Sequence, residues 1–291
     1  MRLRRPLAVV AAALVIWAAA AAAAPPSFAW KVSGKGGVVY LVGSVHLLTA
    51  DFYPLPPALE QAYANADRLI EEVDIGQMLA PASQLALLTR GILPPQQSLA
   101  DVVSPTTLEL VRERAAAVGL PFTPLARMKP WFLSLTLTAL EWQKAGFDER
   151  LGLDMHFYQQ AIADGKAVQG LETIEYQVSR FDEMSPEQQE AMLASSLEEL
   201  DTQLQSITTL TEAWRRGDAG ELERLVLADI QANPGLYERL LVERNRNWLP
   251  TIEALFSQTG ASLVVVGAAH LIGPDGLLKE LEARGYRVEQ L

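Results

Sequence analysis

The chain has 291 residues, with 24 lysines and arginines against 35 aspartates and glutamates, and its 49% hydrophobic and 20% charged residues are typical of a globular protein. It contains no cysteine, which excludes a cysteine nucleophile, thiolate zinc sites, iron–sulfur clusters, disulfide bonds and a lipoprotein anchor. Any metal site must therefore use oxygen atoms and the imidazoles of the three histidines.

The first 24 residues predict a secretory signal peptide. Three arginines within the first five residues precede an apolar run over residues 7–24, which ends before two prolines. We expect cleavage after Ala24, with cleavage after Ala29 as a second option and an uncleaved inner-membrane anchor as the alternative. The sequence thus predicts an exported protein, periplasmic or secreted, that touches a membrane only through this segment.

The mature chain, residues 25–291, is more acidic than the whole chain, because the removed segment carries three arginines and no acid. Its negative charge argues against nucleic acid as a partner. Oligomeric state cannot be read from these residues.

Short apolar runs separated by helical patterns predict the fold. Strands are expected at residues 37–43, 66–74, 167–172, 261–267 and 286–291. Helical patterns cover residues 58–65, 78–118, 134–145, 151–163, much of 185–256, and 277–283. We therefore predict a single α/β domain over residues 25–291, with a central mostly parallel or mixed sheet flanked by helices. A long helical insertion, about residues 175–255, is expected between the third and later strands.

Two predicted strands end in the same motif. Gly43-Ser-Val-His46 follows one strand and Gly267-Ala-Ala-His270 follows another. A glycine at a strand end allows a sharp turn, and the carboxyl ends of parallel strands are where α/β sheets bind ligands. If the two strands are parallel neighbours, both imidazoles reach one edge of the sheet.

Two imidazoles need a carboxylate to complete a typical divalent metal site. At the end of the predicted strand 66–74, Glu72 and Asp74 share one face and Glu71 points the other way. Glu172 follows another short strand. A His-His-Glu set with open positions would activate water for hydrolysis, and a remaining acid could act as general base. The sequence leaves open which of these four acids has which role.

Two further features have simpler interpretations. His156 lies in a predicted helix beside aromatic residues, and we interpret it as structural. Residues 243–248 (ERNRNW) are interpreted, from the residues alone, as a charged solvated helix face. The functional alternative is that Arg244 reaches inward to hold a carboxylate or a developing oxyanion.

An ordered set of motifs runs through nearly all of the mature chain. These motifs are LVGSVH (41–46), EVD (72–74), KPWF (129–132), GLDM (152–155), GK (165–166), LET (171–173) with Gln177, ERN (243–245), VGAAHLIG (266–273) and GYRV (285–288). With them the chain resembles the TraB/PrgY/GumN family, which also includes the Tiki proteins, and it is most similar to the GumN-like bacterial branch.

The resemblance implies a metal-dependent hydrolase, specifically a peptidase, because Tiki members use two Gly-x-x-His motifs and an acid. It assigns His46, His270 and Glu72 as metal ligands, with Glu72, Arg244 and Asn245 in catalysis. Manganese or cobalt is the favoured ion, although zinc and iron suit the same donors. The substrate would be a peptide or protein. The alternative is a non-catalytic periplasmic protein that binds or sequesters peptides, as in pheromone shutdown.

The chain departs from the family pattern at two turns. The second motif is Gly-Ala-Ala-His where Gly-Ala-Gly-His is commoner, and a serine follows Gly43 where threonine is usual. Both motifs keep the glycine and the histidine, so the implied ligands are retained.

Overall fold

A computed structural model of the chain describes residues 26–34, 36–198, 200–231 and 234–291. The predicted signal peptide, residues 1–24, lies outside the described residues. Within the described ranges, every helix is too short or too polar to span a membrane.

In the described ranges, six strands form one mixed sheet. They are β1 (Ala29–Gly34), β2 (Gly37–Ser44), β3 (Arg68–Glu71), β4 (Ala167–Gly170), β5 (Ser262–Gly267) and β6 (Arg287–Gln290). The strand order is β4-β3-β5-β2-β1-β6. The four strands from β4 to β2 are parallel, and β1 pairs antiparallel with β2 and β6. The expected α/β class with a mixed sheet is confirmed.

The two strands that carry the Gly-x-x-His motifs are parallel neighbours. β2 and β5 pair in register from Val39 opposite Ser262 to Ser44 opposite Gly267. All six residues of β5 are buried, as are the last six of β2. A strand buried on both faces needs an apolar run without alternation, and this is the pattern that predicted both strands.

The described residues differ from the predicted strands in three places, one of which is that β4 ends at Gly170 rather than at position 172. β1 was not predicted, because its polar residues Lys31 and Ser33 interrupt the apolar run, and it is stabilised instead by pairing along both of its edges. β3 ends at Glu71 rather than at position 74. Asp74 instead caps the next helix, since its side chain accepts the backbone N–H of Gln77.

Helices surround the sheet. They are α1 (Pro57–Ala64), α2 (Ile75–Met78), α3 (Pro81–Gly91), α4 (Pro105–Ala117), α5 (Phe122–Leu125), α6 (Pro130–Lys144), α7 (Leu153–Asp164), α8 (Ile174–Asp182), α9 (Pro186–Glu198), α10 (Leu200–Arg215), α11 (Ala219–Gln231), α12 (Pro234–Tyr237), α13 (Glu243–Leu255) and α14 (Leu277–Ala283). A π-helical turn, Glu238–Val242, joins α12 to α13. Helices α8 to α13 lie between β4 and β5 in the chain; that they form an insertion stays a prediction.

The buried apolar side chains form two clusters. The larger covers the sheet and includes the fully buried Trp214, Trp248 and Phe157. The smaller lies among α4, α5, α6 and α9, with Val111 and Leu133 at its centre. The larger cluster is the one that fixes the carboxyl ends of β2, β3 and β5, where the candidate site lies.

Candidate functional site

The carboxyl ends of β2, β5 and β3 bring together the three side chains that the sequence proposed as metal ligands. Glu72 accepts the backbone N–H of Gly267 through Oε1 at 2.8 Å, and the same oxygen lies 3.8 Å from His270 Nε2. A methyl group placed on Gly267 would lie 3.2 Å from Glu72 Oε1 and 3.4 Å from His46 Nε2. Both histidines and Glu72 therefore surround the α-carbon of Gly267.

His46 is oriented by a carboxylate from helix α7. Its Nδ1 lies 2.8 Å from Asp154 Oδ2, which also accepts the hydroxyl of Ser44 at 2.5 Å. The negative charge of Asp154 raises the pKa of His46 to about 9. The His46 side chain is 59% exposed, so the ring faces solvent while Asp154 holds its Nδ1–H.

Asp154 reaches His46 because the backbone before it approaches β2 closely. A methyl group on Gly152 would lie 2.1 Å from the carbonyl oxygen of His46, so this position has no room for a side chain. The next residue, Leu153, donates its N–H to Val45 O at 3.2 Å. Asp154 lies in the GLDM motif, but nothing in the sequence pattern predicted a role for it.

His270 is held by an amide instead of a carboxylate. Asn245 donates its Nδ2 to two backbone carbonyls, of His270 at 3.1 Å and of Asp275 at 2.9 Å. Its Oδ1 therefore faces His270 Nδ1, 2.7 Å away, and accepts a hydrogen bond from the Nδ1–H. Burial lowers the pKa of His270 to about 3, so the ring is neutral and its Nε2 is an acceptor.

Arg244 crosses the middle of the site. Its guanidinium donates to Glu72 Oε2 at 2.5 Å and to Glu172 Oε1 at 2.7 Å, and a third N–H reaches His270 Nε2 at 3.0 Å. Trp248 donates its indole N–H to Glu172 Oε2 at 2.8 Å. Burial alone would raise the pKa of Glu72, but the positive charge of Arg244, with a smaller contribution from His46, holds it well below its usual range. Glu72 is therefore ionised.

The interpretation of residues 243–248 as a solvated face is wrong for the two residues named by the family resemblance. Arg244 and Asn245 are 7% and 2% exposed, and both side chains point into the site. The sequence pattern could not show this, because a buried arginine paired with two carboxylates looks like a surface arginine in sequence.

The four acids left open by the sequence are separated by the structure. Glu72 lies at both histidines, and Glu172 lies behind Arg244, where burial raises its pKa. Asp74 caps α2. Glu71 is 1% exposed, and neither carboxyl oxygen has a hydrogen-bond partner among the described residues.

His156 lies away from these groups. It is on α7, with its Nε2 3.0 Å from Glu60 Oε1 and 3.1 Å from Gln160 Nε2. These contacts agree with the interpretation of His156 as structural.

The donors at the three strand ends are of the types that divalent ions prefer, namely two imidazole nitrogens and a carboxylate. In the described part of the chain, however, no group of three histidine, aspartate or glutamate side chains is arranged to hold a metal ion. Two of the donors are instead occupied by Arg244, whose N–H groups bond Glu72 Oε2 and His270 Nε2. Metal binding would require these two bonds to be released.

Comparison with known proteins identifies the family. The model of the TraB/PrgY/gumN family matches residues 28–290. YbaP of Escherichia coli (strain K12), named as uncharacterized, is 26% identical over 238 residues, which cover 82% of this chain and 85% of that protein. An uncharacterized protein of Treponema pallidum (strain Nichols) is 22% identical over 271 residues, which cover 88% and 80%. No solved structure matches the chain. Since the family model spans nearly the whole described chain, this protein belongs to the TraB/PrgY/gumN family.

Proposed function

We propose that the protein is an exported metal-dependent hydrolase that cleaves peptides, with His46, His270 and Glu72 as ligands of one divalent ion. Export rests on the N-terminal sequence pattern. The choice of a peptide substrate, and of manganese or cobalt as the favoured ion, rests on the family resemblance.

One observation carries the proposal. Each histidine has its Nδ1 opposite an oxygen acceptor, Asp154 for His46 and Asn245 for His270. A hydrogen-bond acceptor at Nδ1 keeps the proton of the neutral ring on that nitrogen, so the free lone pair lies on Nε2. Such partners are typical of metal-binding histidines. His270 Nε2 lies 3.8 Å from Glu72 Oε1, and His46 Nε2 faces the same space beside Gly267, so the orientation of the rings suits a shared ion.

Each side chain of the site would have a separate role in hydrolysis. A divalent ion bound by this set would lower the pKa of a bound water and supply a nucleophile near neutral pH. The Arg244 guanidinium bonds both Glu72 and Glu172. When Arg244 releases Glu72, it therefore stays paired with Glu172. The released N–H groups of Arg244 can then bind the substrate carbonyl oxygen and stabilise the charge that develops on it. Asn245 keeps the His270 ring in place.

The same contacts favour a second candidate, a protein that binds peptides without cleaving them. If Arg244 stays bonded to Glu72 and His270, these donors remain occupied, and the group that the site presents to solvent is the exposed His46. The raised pKa of His46 keeps its ring protonated, so it could hold a peptide carboxylate. The two candidates differ in whether the peptide is recovered intact.

The experiment is incubation with β-casein, an unfolded protein, in the presence of Mn²⁺, Co²⁺ or Zn²⁺, followed by mass spectrometry of the products. We expect metal-dependent fragments from the wild-type protein and none from the His46→Ala, His270→Ala double variant. His156→Ala is the matched control, because this histidine lies outside the site, and it should retain cleavage. Intact casein after long incubation with every ion would favour the binding protein, and equal cleavage by a folded double variant would exclude the proposed ligands.

A further inference from the structure

Strand β4 forms one edge of the sheet and leaves half of its backbone groups unpaired. Gln169 and Leu171 face β3, as the bond from Leu171 N to Glu71 O at 2.8 Å shows. In a parallel strand both polar groups of a residue point to the same side, and alternate residues point to opposite sides. The N–H and C=O groups of Val168 and Gly170 therefore point outward, and none of the described residues bonds them.

The two edges of the sheet differ in their side chains. β6, the opposite edge, carries Arg287 and Glu289, and charged residues protect an edge strand against pairing with other chains. β4 has the sequence Ala-Val-Gln-Gly and carries no charge. It is thus the edge that lacks this protection.

A cleft of about 320 Å³ lies where β4 ends. It is lined by residues 168–174 together with Asp74 and Gln77. Glu172 lines the cleft, but its carboxylate is only 4% exposed and points to Arg244, so the cleft borders the candidate site through this residue. Gly170 packs tightly against the chain after β3, since a methyl group there would lie 2.8 Å from Asp74 N. The edge strand and the site are therefore held together.

We propose that a peptide binds in extended conformation along the outer edge of β4, pairing its backbone with Val168 and Gly170, and that the cleft guides it toward the site. The later cleavage of the bound peptide rests on the proposed function, whereas the binding itself requires no metal. Backbone pairing gives affinity with little dependence on sequence. The carboxylate of Asp74 lines the cleft, so the peptide residue that enters the cleft is favoured to have a neutral or basic side chain.

Strand spacing fixes where the reacting bond would lie. A strand added beside β4 would be about 10 Å from β3 and about 14 Å from β5, because neighbouring strands lie ~4.8 Å apart. An extended chain covers about 3.3 Å per residue, so about three or four residues would cross from the paired segment to Glu72 and His270. The peptide would thus be recognised a few residues away from the bond that is cleaved.

Val168→Pro tests this pairing. Proline removes the outward N–H and crowds the edge, while the bonds to β3 come from Gln169 and Leu171 and remain, and proline is tolerated on an edge strand when its nitrogen faces outward. Val168→Ala is the matched control, because it loses side-chain atoms but keeps the N–H. The probe is fluorescently labelled β-casein, with binding measured by anisotropy in EDTA so that the casein stays intact. We expect Val168→Pro to weaken binding about tenfold and Val168→Ala to change it less than about twofold.

Hydrogen exchange of the wild-type protein gives a second measurement that does not depend on a variant folding. Bound casein should slow exchange of the Val168 and Gly170 amides at least tenfold. Unchanged exchange at these amides, equal binding by a folded Val168→Pro variant, or no casein binding would overturn the proposal.

The two proposals can fail separately. Metal-dependent cleavage that is unaffected by Val168→Pro would contradict strand addition and leave the hydrolase intact. Binding along β4 without any cleavage would support strand addition and contradict the hydrolase.

Discussion

At the scale of single residues, the site depends on how its two histidines are oriented. Both use Nδ1 to contact an oxygen atom, but the acceptors differ in charge: Asp154 favours a protonated His46, whereas Asn245 and burial keep His270 neutral. Without a bound ion, the His46 ring is therefore protonated and the His270 ring is neutral. An ion that binds both must displace a proton from His46 and an arginine N–H from His270.

Replacing Asp154 should change the acidity of His46. Without the carboxylate charge, Asp154→Asn should lower the pKa of His46 from about 9 toward the ordinary value of about 6.5. The titration can be followed by NMR of the ring protons in EDTA. Glu60→Gln is the control, because Glu60 contacts His156 instead, and it should leave the His46 titration unchanged. A pKa that stays near 9 in Asp154→Asn would show that another group sets it.

Glu71 should destabilise the fold at neutral pH. Burial raises its pKa to about 9, so the folded protein keeps this proton while the unfolded chain, with a pKa of about 4.3, releases it. Stability is then lost as pH rises between these two values, because the folded state binds the extra proton. Glu71→Met removes the buried carboxyl and should add on the order of 5 kcal/mol to the free energy of unfolding at pH 8, but only about 1 kcal/mol at pH 5, because each pH unit between the two pKa values is worth about 1.4 kcal/mol.

Urea unfolding followed by circular dichroism at both pH values measures this difference. The exposed glutamate Glu282 provides the control, since Glu282→Met should show no such dependence on pH. A Glu71→Met variant that is less stable than the wild type at pH 8 would contradict the account.

At the scale of elements, the two Gly-x-x-His motifs use their glycines for space, and the expected role in sharp turns is not what the structure shows. Gly43 and Gly267 both lack a positive φ angle. A methyl group on Gly43 would lie 2.3 Å from the ring of Phe28, whereas one on Gly267 would enter the space between Glu72 and His46. One glycine therefore permits core packing and the other keeps the site open.

This difference predicts opposite outcomes for the same substitution. Gly43→Ala should lower the melting temperature, because the buried Phe28 must move. Gly267→Ala should fold nearly as well as the wild type but lose metal binding, because its methyl group fills the space that the donors share. Thermal unfolding and Mn²⁺ titration of both variants check this. A stable Gly43→Ala variant, or normal metal binding by Gly267→Ala, would contradict it.

The sequence predicted the elements whose signal is local. β2 and β5 are continuous apolar runs, and α14 begins and ends at the predicted residues. β1 could not be predicted in the same way, because it is specified by its partners β2 and β6. The residues of the site differ in the same way. The repeated local motif predicted His46 and His270, whereas the position of Asp154 depends on a close contact at Gly152 between segments that are distant in sequence.

At the scale of the whole molecule, the topology places the site and the exposed edge strand on the same side of the sheet. The ends of three parallel strands supply His46, Glu72 and His270, and the fourth, β4, leads into the adjoining cleft. Helix α13 covers the site, and its residues Arg244 and Asn245 are buried there. The exposed side of His46 and the edge of β4 therefore mark the route that we propose for a peptide.

The most direct test is titration of Mn²⁺ into the EDTA-treated protein by isothermal calorimetry. We expect one ion per chain for the wild type and for His156→Ala, and an affinity at least about 100-fold lower for His46→Ala and for His270→Ala. Wild-type affinity in a folded double variant lacking His46 and His270 would show that these two strand ends do not hold the ion.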